Sequence, residues 1–141
     1  VGGFVRDRIL GVRKDFTDID IVTFDRLEEV ERCVTKTLGK KPFSFEKEKR
    51  VICYVGEDYR FDITSALGES IEKDLSKRDF TINAIAVDLN ELFLPFNDDA
   101  ILIDPFGGLE DLQKGIIRPV TEKALKEDPV RVIRGVRLKL Q

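Results

Sequence analysis

Two aspartates separated by one residue are the first side chains of this sequence that could do chemistry together. Asp18 and Asp20 lie in the alternating run Asp15–Phe24, which predicts a β-strand. Alternate residues of a strand point to the same face, so we expect both carboxylates on one face and Ile19 in the core. A bare D-x-D pattern is common by chance, and acids at a hydrated strand edge would look the same.

A third carboxylate, Asp62, lies in the second strand of a hairpin predicted over residues 51–55 and 59–64. If that strand pairs beside the first, Asp62 joins Asp18 and Asp20. Three carboxylates so placed repel one another unless a cation sits among them. Oxygen ligands of this kind suit Mg²⁺, and a pair of such ions can stabilise the attacking and leaving oxygens of a phosphoryl displacement.

Two glycines before a predicted helix offer a different kind of chemistry. Gly2 and Gly3 precede Phe4–Leu10, which is helical by composition and ends before Gly11. Unhindered backbone N–H groups at a helix start favour a phosphate, and Arg6 follows one turn later. Taken alone, a pair of glycines is more often an ordinary turn.

Basic residues recur at the end of the sequence. Arg131, Arg134 and Arg137 repeat every third residue in a predicted helix, so they spread across one broad face. Pro129 is a suitable first residue for this helix, and Asp128 is a suitable N-cap. These residues are compatible with a solvated basic helix face that Asp128 caps. They are equally compatible with a set of ligand-binding groups.

The composition limits the remaining chemistry. The chain has 141 residues, a formal net charge of -3, 42% hydrophobic and 36% charged residues, which indicates a globular domain and argues against a general basic coat for nucleic acid. The absence of histidine removes histidine bases, triads and metal ligands. Cys33 and Cys53 are too few for a cysteine zinc site and indicate free thiols, so we expect a cytoplasmic protein. No apolar run approaches the roughly 18 residues of a membrane helix.

The order of predicted elements indicates a mixed fold, α/β in the α+β sense. We predict a catalytic domain over residues 1–118 and the start of a helical domain over 119–141, cut off in mid-pattern, so that the chain is expected to be part of a longer protein. The sequence also predicts a helix with the apolar stripe Leu27, Val30, Val34 and Leu38, which begins at an Asp25–Glu28 capping box and ends at Gly39. The other predicted elements are a short helix over 71–77, a strand through Ile85, Val87 and Leu89, a turn at 104–108 and a short strand at Ile116–Arg118.

Five ordered segments resemble the head domain of the class II tRNA nucleotidyltransferases and bacterial poly(A) polymerases, in the DNA polymerase β-like nucleotidyltransferase superfamily. They are VGGFVRD at 1–7, DID at 18–20, KRDFTINA at 77–84, DPFGG at 104–108 and EDPVR at 127–131. The resemblance implies a polymerase-β-like head with a small, mostly antiparallel sheet flanked by helices, followed by a helical neck.

The resemblance also implies a role for individual residues. Asp18 and Asp20 would bind a pair of Mg²⁺ ions, and Asp62 would be the third carboxylate, which polarises the attacking 3′-hydroxyl. Lys77 stands where the family usually has arginine. The implied nucleotide-binding residues are Gly2, Gly3 and Arg6 for the triphosphate, Arg78, Asp79 and Asn83 beside the ribose and phosphates, Asp128 and Arg131 for the base of CTP or ATP, and Arg134 and Arg137 further along that helix.

The activity implied is the addition of cytidine from CTP to the 3′ end of tRNA. CCA-adding members carry a flexible loop between the third-carboxylate strand and an E-x-D-L helix, whereas here residues 62–69 run almost directly into Glu72–Leu75. A short loop resembles the CC-adding branch, which leaves the terminal adenosine to a separate enzyme. Alternatively, loop residues are missing from a trimmed chain.

Several other functions remain open at this stage. A complete CCA-adding or A-adding enzyme and a poly(A) polymerase share these head motifs. A non-catalytic RNA-binding module on the same fold is a different class, but a catalytically dead copy would have no need of three mutually repelling acids. A metal-dependent nuclease or a D-x-D glycosyltransferase fits the glycine turn less well.

Overall fold

A computed structural model describes residues 1–46, 48, 50–90 and 101–140 of the chain. No helix within these ranges is long and apolar enough to cross a membrane. The elements in chain order are α1 (Gly3–Ile9), β1 (Thr17–Thr23), α2 (Leu27–Leu38), β2 (Ser44–Glu46), β3 (Val51–Val55), β4 (Tyr59–Ser65), α3 (Ile71–Leu75), a 3₁₀ turn (Thr81–Asn83), β5 (Ala86–Val87), β6 (Leu102–Ile103), α4 (Gly108–Lys114), α5 (Ala124–Glu127) and α6 (Val130–Lys139).

The main sheet has four strands in the order β1-β4-β3-β2. Strands β1 and β4 run parallel, while β4–β3 and β3–β2 are antiparallel. The mixed fold with a small, mostly antiparallel sheet is therefore confirmed. The parallel register places Asp20 opposite Asp62 and Asp18 opposite Arg60. The third-carboxylate strand thus does pair beside the first, and these side chains share one face of the sheet.

The opposite face of the sheet carries the core. Leu27, Ile52, Tyr54 and Ile63 form a buried cluster, against which Val30 and Val34 of α2 also pack. Tyr54 is fully buried, and its hydroxyl lies 2.9 Å from the Thr35 hydroxyl. Burying such a side chain contributes about 1.5–3 kcal/mol. The apolar stripe predicted for α2 is confirmed for Leu27, Val30 and Val34, which hold the acidic strand from behind, whereas Leu38 is exposed.

The sequence predicts the end of α2 correctly but not its start. Gly39 ends the helix in a left-handed conformation with φ 63°, as expected. The capping box was wrong, because Arg26 is the N-cap residue and no side chain caps this end. Asp25 instead lies in the turn after β1, where its N–H donates to the Thr23 hydroxyl over 3.1 Å.

The DPFGG segment starts a helix that the sequence analysis did not predict. The Asp104 carboxylate accepts hydrogen bonds from the N–H groups of Gly108 at 2.7 Å and Leu109 at 2.9 Å, and so begins α4. Gly108 packs directly on the 3₁₀ turn, since a Cβ there would lie 2.2 Å from the Thr81 carbonyl oxygen. The motif therefore has a structural explanation in the fit of α4 beneath this turn.

The strand predicted at Ile116–Arg118 is wrong. The segment makes only an isolated antiparallel bridge, between Phe80 and Pro119, among the residues described. A buried carboxylate fixes the position of this segment instead. Asp111 accepts a hydrogen bond from the Thr81 hydroxyl at 2.7 Å and binds the Arg118 guanidinium through both oxygens. The predicted strand at Ile85–Leu89 shortens to β5, and neither β2 nor α5 was predicted.

Replacing Asp111 by alanine should lower the free energy of unfolding by about 2 kcal/mol, because the change strips the Thr81 hydroxyl and the Arg118 guanidinium of their shared acceptor. Urea unfolding measures the loss. Glu110→Ala is the matched control, since Glu110 is exposed and pairs only with Lys114 among the contacts described. A control that loses as much as Asp111→Ala would contradict the structural role of Asp111.

The same ion pair predicts a pH dependence of stability. Arg118, in spite of burial, holds the pKa of Asp111 below its ordinary value of 3.8. Because the folded pKa is lowered, the contribution to stability is complete above the unfolded value and is lost as the pH falls through the folded one. The stability difference between wild type and Asp111→Ala should therefore be constant above about pH 5 and shrink below pH 3.8 in acid-unfolding titrations.

Candidate active site

An open cleft of about 700 Å³ lies over the acidic face of β1, between α1 and α6. Most of the residues that the sequence singled out line it, which brings together segments from both ends of the chain. Lys14, Arg13 and Arg8 also line the cleft and were not predicted. The predicted residues found there are Gly2, Gly3, Arg6, Asp18, Asp20, Arg78, Asp79, Asn83, Arg131, Arg134 and Arg137.

Gly2 lies where the acidic strand and the Lys77–Asp79 segment converge. Its φ is 72°, and a Cβ there would lie 3.2 Å from Oδ2 of Asp20 and 3.3 Å from Nη1 of Arg78. Its N–H donates to the Ile85 carbonyl over 3.1 Å. A glycine is needed at this position both for the positive φ, which is combined with a ψ of -139°, and for the close approach of a carboxylate and a guanidinium.

Asp18 and Asp20 supply the oxygen ligands of the cleft. Among the described residues, no three carboxylate or thiol side chains stand close enough together to hold a metal ion between them. Mg²⁺ is ordinarily held by one or two carboxylates, with substrate phosphates and waters completing its shell. Two carboxylates on one strand, in a cleft lined with guanidinium groups that suit phosphates, therefore fit Mg²⁺.

Asp62 lies beside these acids but does not line the cleft. Its two oxygens bind the Arg60 guanidinium, at 2.9 Å from Nε and 2.8 Å from Nη2. On its other side stands buried Cys53 of β3. Burial, and then the nearby Asp62 carboxylate, raises the pKa of the Cys53 thiol, so the thiol stays protonated. Of the three acids on this face of the sheet, Asp62 is thus the one whose carboxylate forms an ion pair within the described part of the chain.

Two hydrogen bonds and one ion pair join α1 to α6 across the floor of the cleft. Arg6 donates to Oδ1 of Asn83 at 2.7 Å, and the Asn83 amide donates to Oδ1 of Asp79 at 3.0 Å. The second Asp79 oxygen is buried without a hydrogen-bond partner among the described residues, and Nη1 of Arg134 lies 3.4 Å from it. Arg6 is also held by Asp7, through the contact of Nη2 with Oδ1 at 2.6 Å. Sequence reasoning selected these residues singly and could not show that they hold one another.

The last helix is docked by a glycine. A Cβ on Gly135 would lie 2.9 Å from Cζ of Phe80, so α6 approaches the KRDFTINA segment closely. Arg131 donates to the carbonyl of Ala124 at 3.3 Å and to that of Lys77 at 3.2 Å. These contacts hold the basic face of α6 over the cleft.

Asp128 lies just before α6 and outside the lining of the cleft. Its carboxylate accepts the Val130 N–H over 3.1 Å, as a capping residue would, and Oδ2 lies 3.9 Å from Nε of Arg131. The helix begins at Val130 with Pro129 as its N-cap, one residue later than the predicted start at Pro129 with Asp128 as the cap. The Asp128 carboxylate therefore both binds the Val130 N–H at the start of the helix and pairs with Arg131.

A residue that the sequence analysis did not select, Asp74, connects the short segment after β4 to the cleft. This buried carboxylate accepts the Leu67 N–H over 3.1 Å and lies 3.4 Å from Nη2 of Arg78. A buried aspartate on a short charged helix gives no separate signal in a single sequence. Asp74 thus orients a guanidinium of the cleft from behind.

A sheet with paired acids facing a guanidinium-lined cleft, bordered by a glycine turn, defines a head domain of the polymerase β-like nucleotidyltransferase class. Residues 1–118 match the Poly A polymerase head domain family. The chain belongs to this family, the head domains of the class II tRNA nucleotidyltransferases and poly(A) polymerases. The resemblance on which the sequence analysis depended is therefore confirmed.

Known relatives match almost the whole chain. It is 38% identical over 138 residues to a CC-adding tRNA nucleotidyltransferase of Shouchella clausii, covering 97% of this chain and 32% of that protein. It is 37% identical over 150 residues to a CCA-adding enzyme of Geobacillus stearothermophilus, covering 97% of this chain and 34% of that one. The solved Thermotoga maritima CCA-adding enzyme complexed with tRNA superposes with a TM-score of 0.80 at 37% identity, over 99% of this chain and 32% of that one. The chain spans about a third of the length of these relatives.

Gly2→Ala should weaken binding of a nucleoside triphosphate in the cleft, while Gly11→Ala should not. Both positions have positive φ, 72° and 68°, which residues with a Cβ rarely adopt, so each substitution should lower the free energy of unfolding by about 1–3 kcal/mol. Only at Gly2 does the added methyl group meet Asp20 and Arg78, since nothing lies within 4 Å at Gly11. Urea unfolding and calorimetric titration measure the two effects. Equal loss of binding in both variants would contradict the part assigned to Gly2.

Proposed function

We propose that this chain is the catalytic head of a nucleotidyltransferase that adds two cytidines from CTP to the 3′ end of tRNA. The observation that carries the proposal is the pair Asp18 and Asp20 on a strand that faces a guanidinium-lined cleft. The family supplies the class of reaction, and the cleft supplies groups that suit a metal–triphosphate substrate.

The reaction proposed is an in-line displacement without a covalent enzyme intermediate. The terminal ribose hydroxyl of the RNA forms a bond to the α-phosphorus of CTP, the bond to the bridging oxygen breaks, and pyrophosphate leaves. Mg²⁺ ions held by Asp18 and Asp20 would supply stabilisation of the charge on the attacking and leaving oxygens. Asp62, as the third carboxylate, would accept the hydrogen bond of the attacking hydroxyl and take up its proton.

The triphosphate is assigned to the guanidinium groups around the cleft. Arg6 is already oriented by Asp7 and Asn83, and Arg78 by Asp74. Because these contacts fix the side chains before the ligand arrives, less conformational entropy is lost on binding. Arg134 and Arg137 on α6 would complete the positive surface around the leaving pyrophosphate.

Base recognition is assigned to Asp128 and Arg131. Together a carboxylate and a guanidinium offer acceptors and donors to a base edge. Arg131 donates a hydrogen bond to the carbonyl of Lys77, so the residue assigned to the base is attached to the segment assigned to the ribose and phosphates. This contact supports a single connected site that binds the base and the phosphates of one nucleotide.

The short segment after β4 supports the CC-adding activity. It runs from the end of β4 at Ser65 to the start of α3 at Ile71, and it is tied down by the Ala66 N–H on the Thr23 carbonyl at 2.9 Å. The match to the CC-adding relative runs over 138 residues and that to the CCA-adding relative over 150, although both cover 97% of this chain. A loop that is long in the CCA-adding relative and short here would account for the longer alignment. A separate enzyme would then add the terminal adenosine, in the same cytoplasmic compartment.

Complete CCA addition is the second candidate, because the identity to the two kinds of relative is almost the same, 38% and 37%. A non-catalytic RNA-binding module fits less well, because such a module gains nothing from acids that repel both one another and RNA phosphates.

The full-length protein with Mg²⁺ should extend a tRNA that lacks CCA by two cytidines from CTP and then stop, with or without ATP. A tRNA ending in C should receive one further cytidine, and a tRNA ending in CC none. Denaturing gels with single-nucleotide resolution give the product lengths. Addition of adenosine after the two cytidines would replace the proposal by complete CCA addition, and long adenosine tails would replace it by poly(A) synthesis.

Asp18→Asn and Asp20→Asn should each lower the rate of cytidine addition by about a hundredfold or more, because each removes an oxygen ligand at the position where charge develops. Neither should destabilise the fold, since each relieves repulsion between neighbouring carboxylates. Asp25→Asn, in the turn beyond the same strand and outside the cleft, is the control with the same charge change. Activity equal to wild type in Asp18→Asn would refute the catalytic assignment.

A further inference from the structure

The acidic face of the main sheet contains its own cation. Arg60 stands opposite Asp18 in the parallel register and two residues before Asp62 on the same strand face. Its guanidinium forms a two-pronged contact with Asp62, with both nitrogen–oxygen distances under 3 Å. The hydrogen bond and charge of Asp62, and more weakly the charge of Asp18, raise the pKa of Arg60 above its usual range. An arginine guanidinium is not deprotonated in proteins, so Arg60 places a permanent positive charge on the acidic face.

This contact engages the whole carboxylate of Asp62. Both Asp62 oxygens are bound to Arg60. Together with the absence of any three-ligand group among the described acidic and thiol side chains, this leaves Asp18 and Asp20 as the free pair. A divalent cation that recruits Asp62 must first displace the guanidinium.

The exposure of the pair makes such a displacement feasible. The Arg60 side chain is 48% exposed and that of Asp62 28% exposed, so water and a competing cation can reach both partners. An exposed ion pair is weak enough to be exchanged for another cation, unlike a fully buried one, whose opening leaves an unpaired charge in the interior.

We propose that Arg60 is an internal counter-ion that competes with the divalent cation for Asp62 and holds this carboxylate out of the metal site until metal and substrate arrive. The inference rests on the proposed function, because that function identifies the acidic face as a metal site. Arg60 acts through Asp62 and is a positioning residue. It lowers the repulsion among the acids in the free protein and weakens cation binding there.

The test measures Mn²⁺ binding to the full-length protein by the loss of the electron paramagnetic resonance signal of the free ion. Arg60→Gln should bind Mn²⁺ about two- to fivefold more tightly than wild type, because an exposed ion pair of ordinary strength is no longer in competition. Arg60→Lys should fall between the two, since it keeps the charge and loses the two-pronged geometry. Arg26→Gln is the matched control: it makes the same charge change at an exposed site, 3.9 Å from Glu29 and outside the cleft.

A second pair of variants separates competition at Asp62 from a general charge effect. Asp62→Asn with and without Arg60→Gln should bind Mn²⁺ with nearly the same affinity, because the group through which Arg60 acts has been removed. Unchanged or weaker Mn²⁺ binding in Arg60→Gln overturns the inference. So does a gain that Arg26→Gln shares, or one that persists in full when Asp62 is asparagine.

The outcome is distinguishable from failure of the proposed function, because it is read from metal binding and not from nucleotide transfer. Tighter Mn²⁺ binding in Arg60→Gln, in a protein that adds no cytidine to any tRNA, would support the counter-ion and refute the transferase. Thermal unfolding gives a second readout: Mn²⁺ should raise the melting temperature of Arg60→Gln more than that of wild type. An equal or smaller rise would count against the counter-ion.

Discussion

The parallel pairing of β1 with β4 is the constraint on which the rest of this structure depends. It places Asp20 opposite Asp62 and Asp18 opposite Arg60, and so concentrates negative charge on one face of a small sheet. Such a face is stable only if cations balance it. Within the described part of the protein, Arg60 does so from the same sheet, and the guanidinium groups of α1, α6 and the segment before the 3₁₀ turn surround the cleft above it.

Three glycines allow close approaches between the segments around and beneath the cleft. Gly2 lets the start of the chain approach Asp20 and Arg78, Gly108 lets α4 support the 3₁₀ turn, and Gly135 lets α6 rest on Phe80. Each approach would be blocked or tightened by a Cβ, at distances between 2.2 and 3.3 Å from the neighbouring atom. The cleft is thus assembled by three glycines in three separate segments, while Asp111 and Asp74 fix the supporting turns from within.

Much of the fold and the membership of the site could be predicted, because they depend on local patterns. Alternation along β1 and β4 gives the shared face, and the stripe of α2 gives its packing side. Other elements failed for physical reasons. Asp104 and Gly108 looked like a turn because a helix start and a turn use the same residues. Ile116–Arg118 looked like a strand, but the ion pair of Arg118 with Asp111 fixes that segment as a loop.

The sequence by itself determined which chemistry is available: paired carboxylates, glycines, guanidinium groups and no histidine. It also determined the family, because five short segments in fixed order carry that information without any coordinates. Only the tertiary structure decided which partner each charged group takes. Asp62 is bound to Arg60, Asp79 to Asn83, and Arg131 to the carbonyl of Lys77. Arg131 and Lys77 are 54 residues apart, so no spacing along the chain specifies their contact. Arg60 and Asp62, like Asp79 and Asn83, are close in sequence, but spacing alone does not decide which of several neighbouring groups each side chain binds.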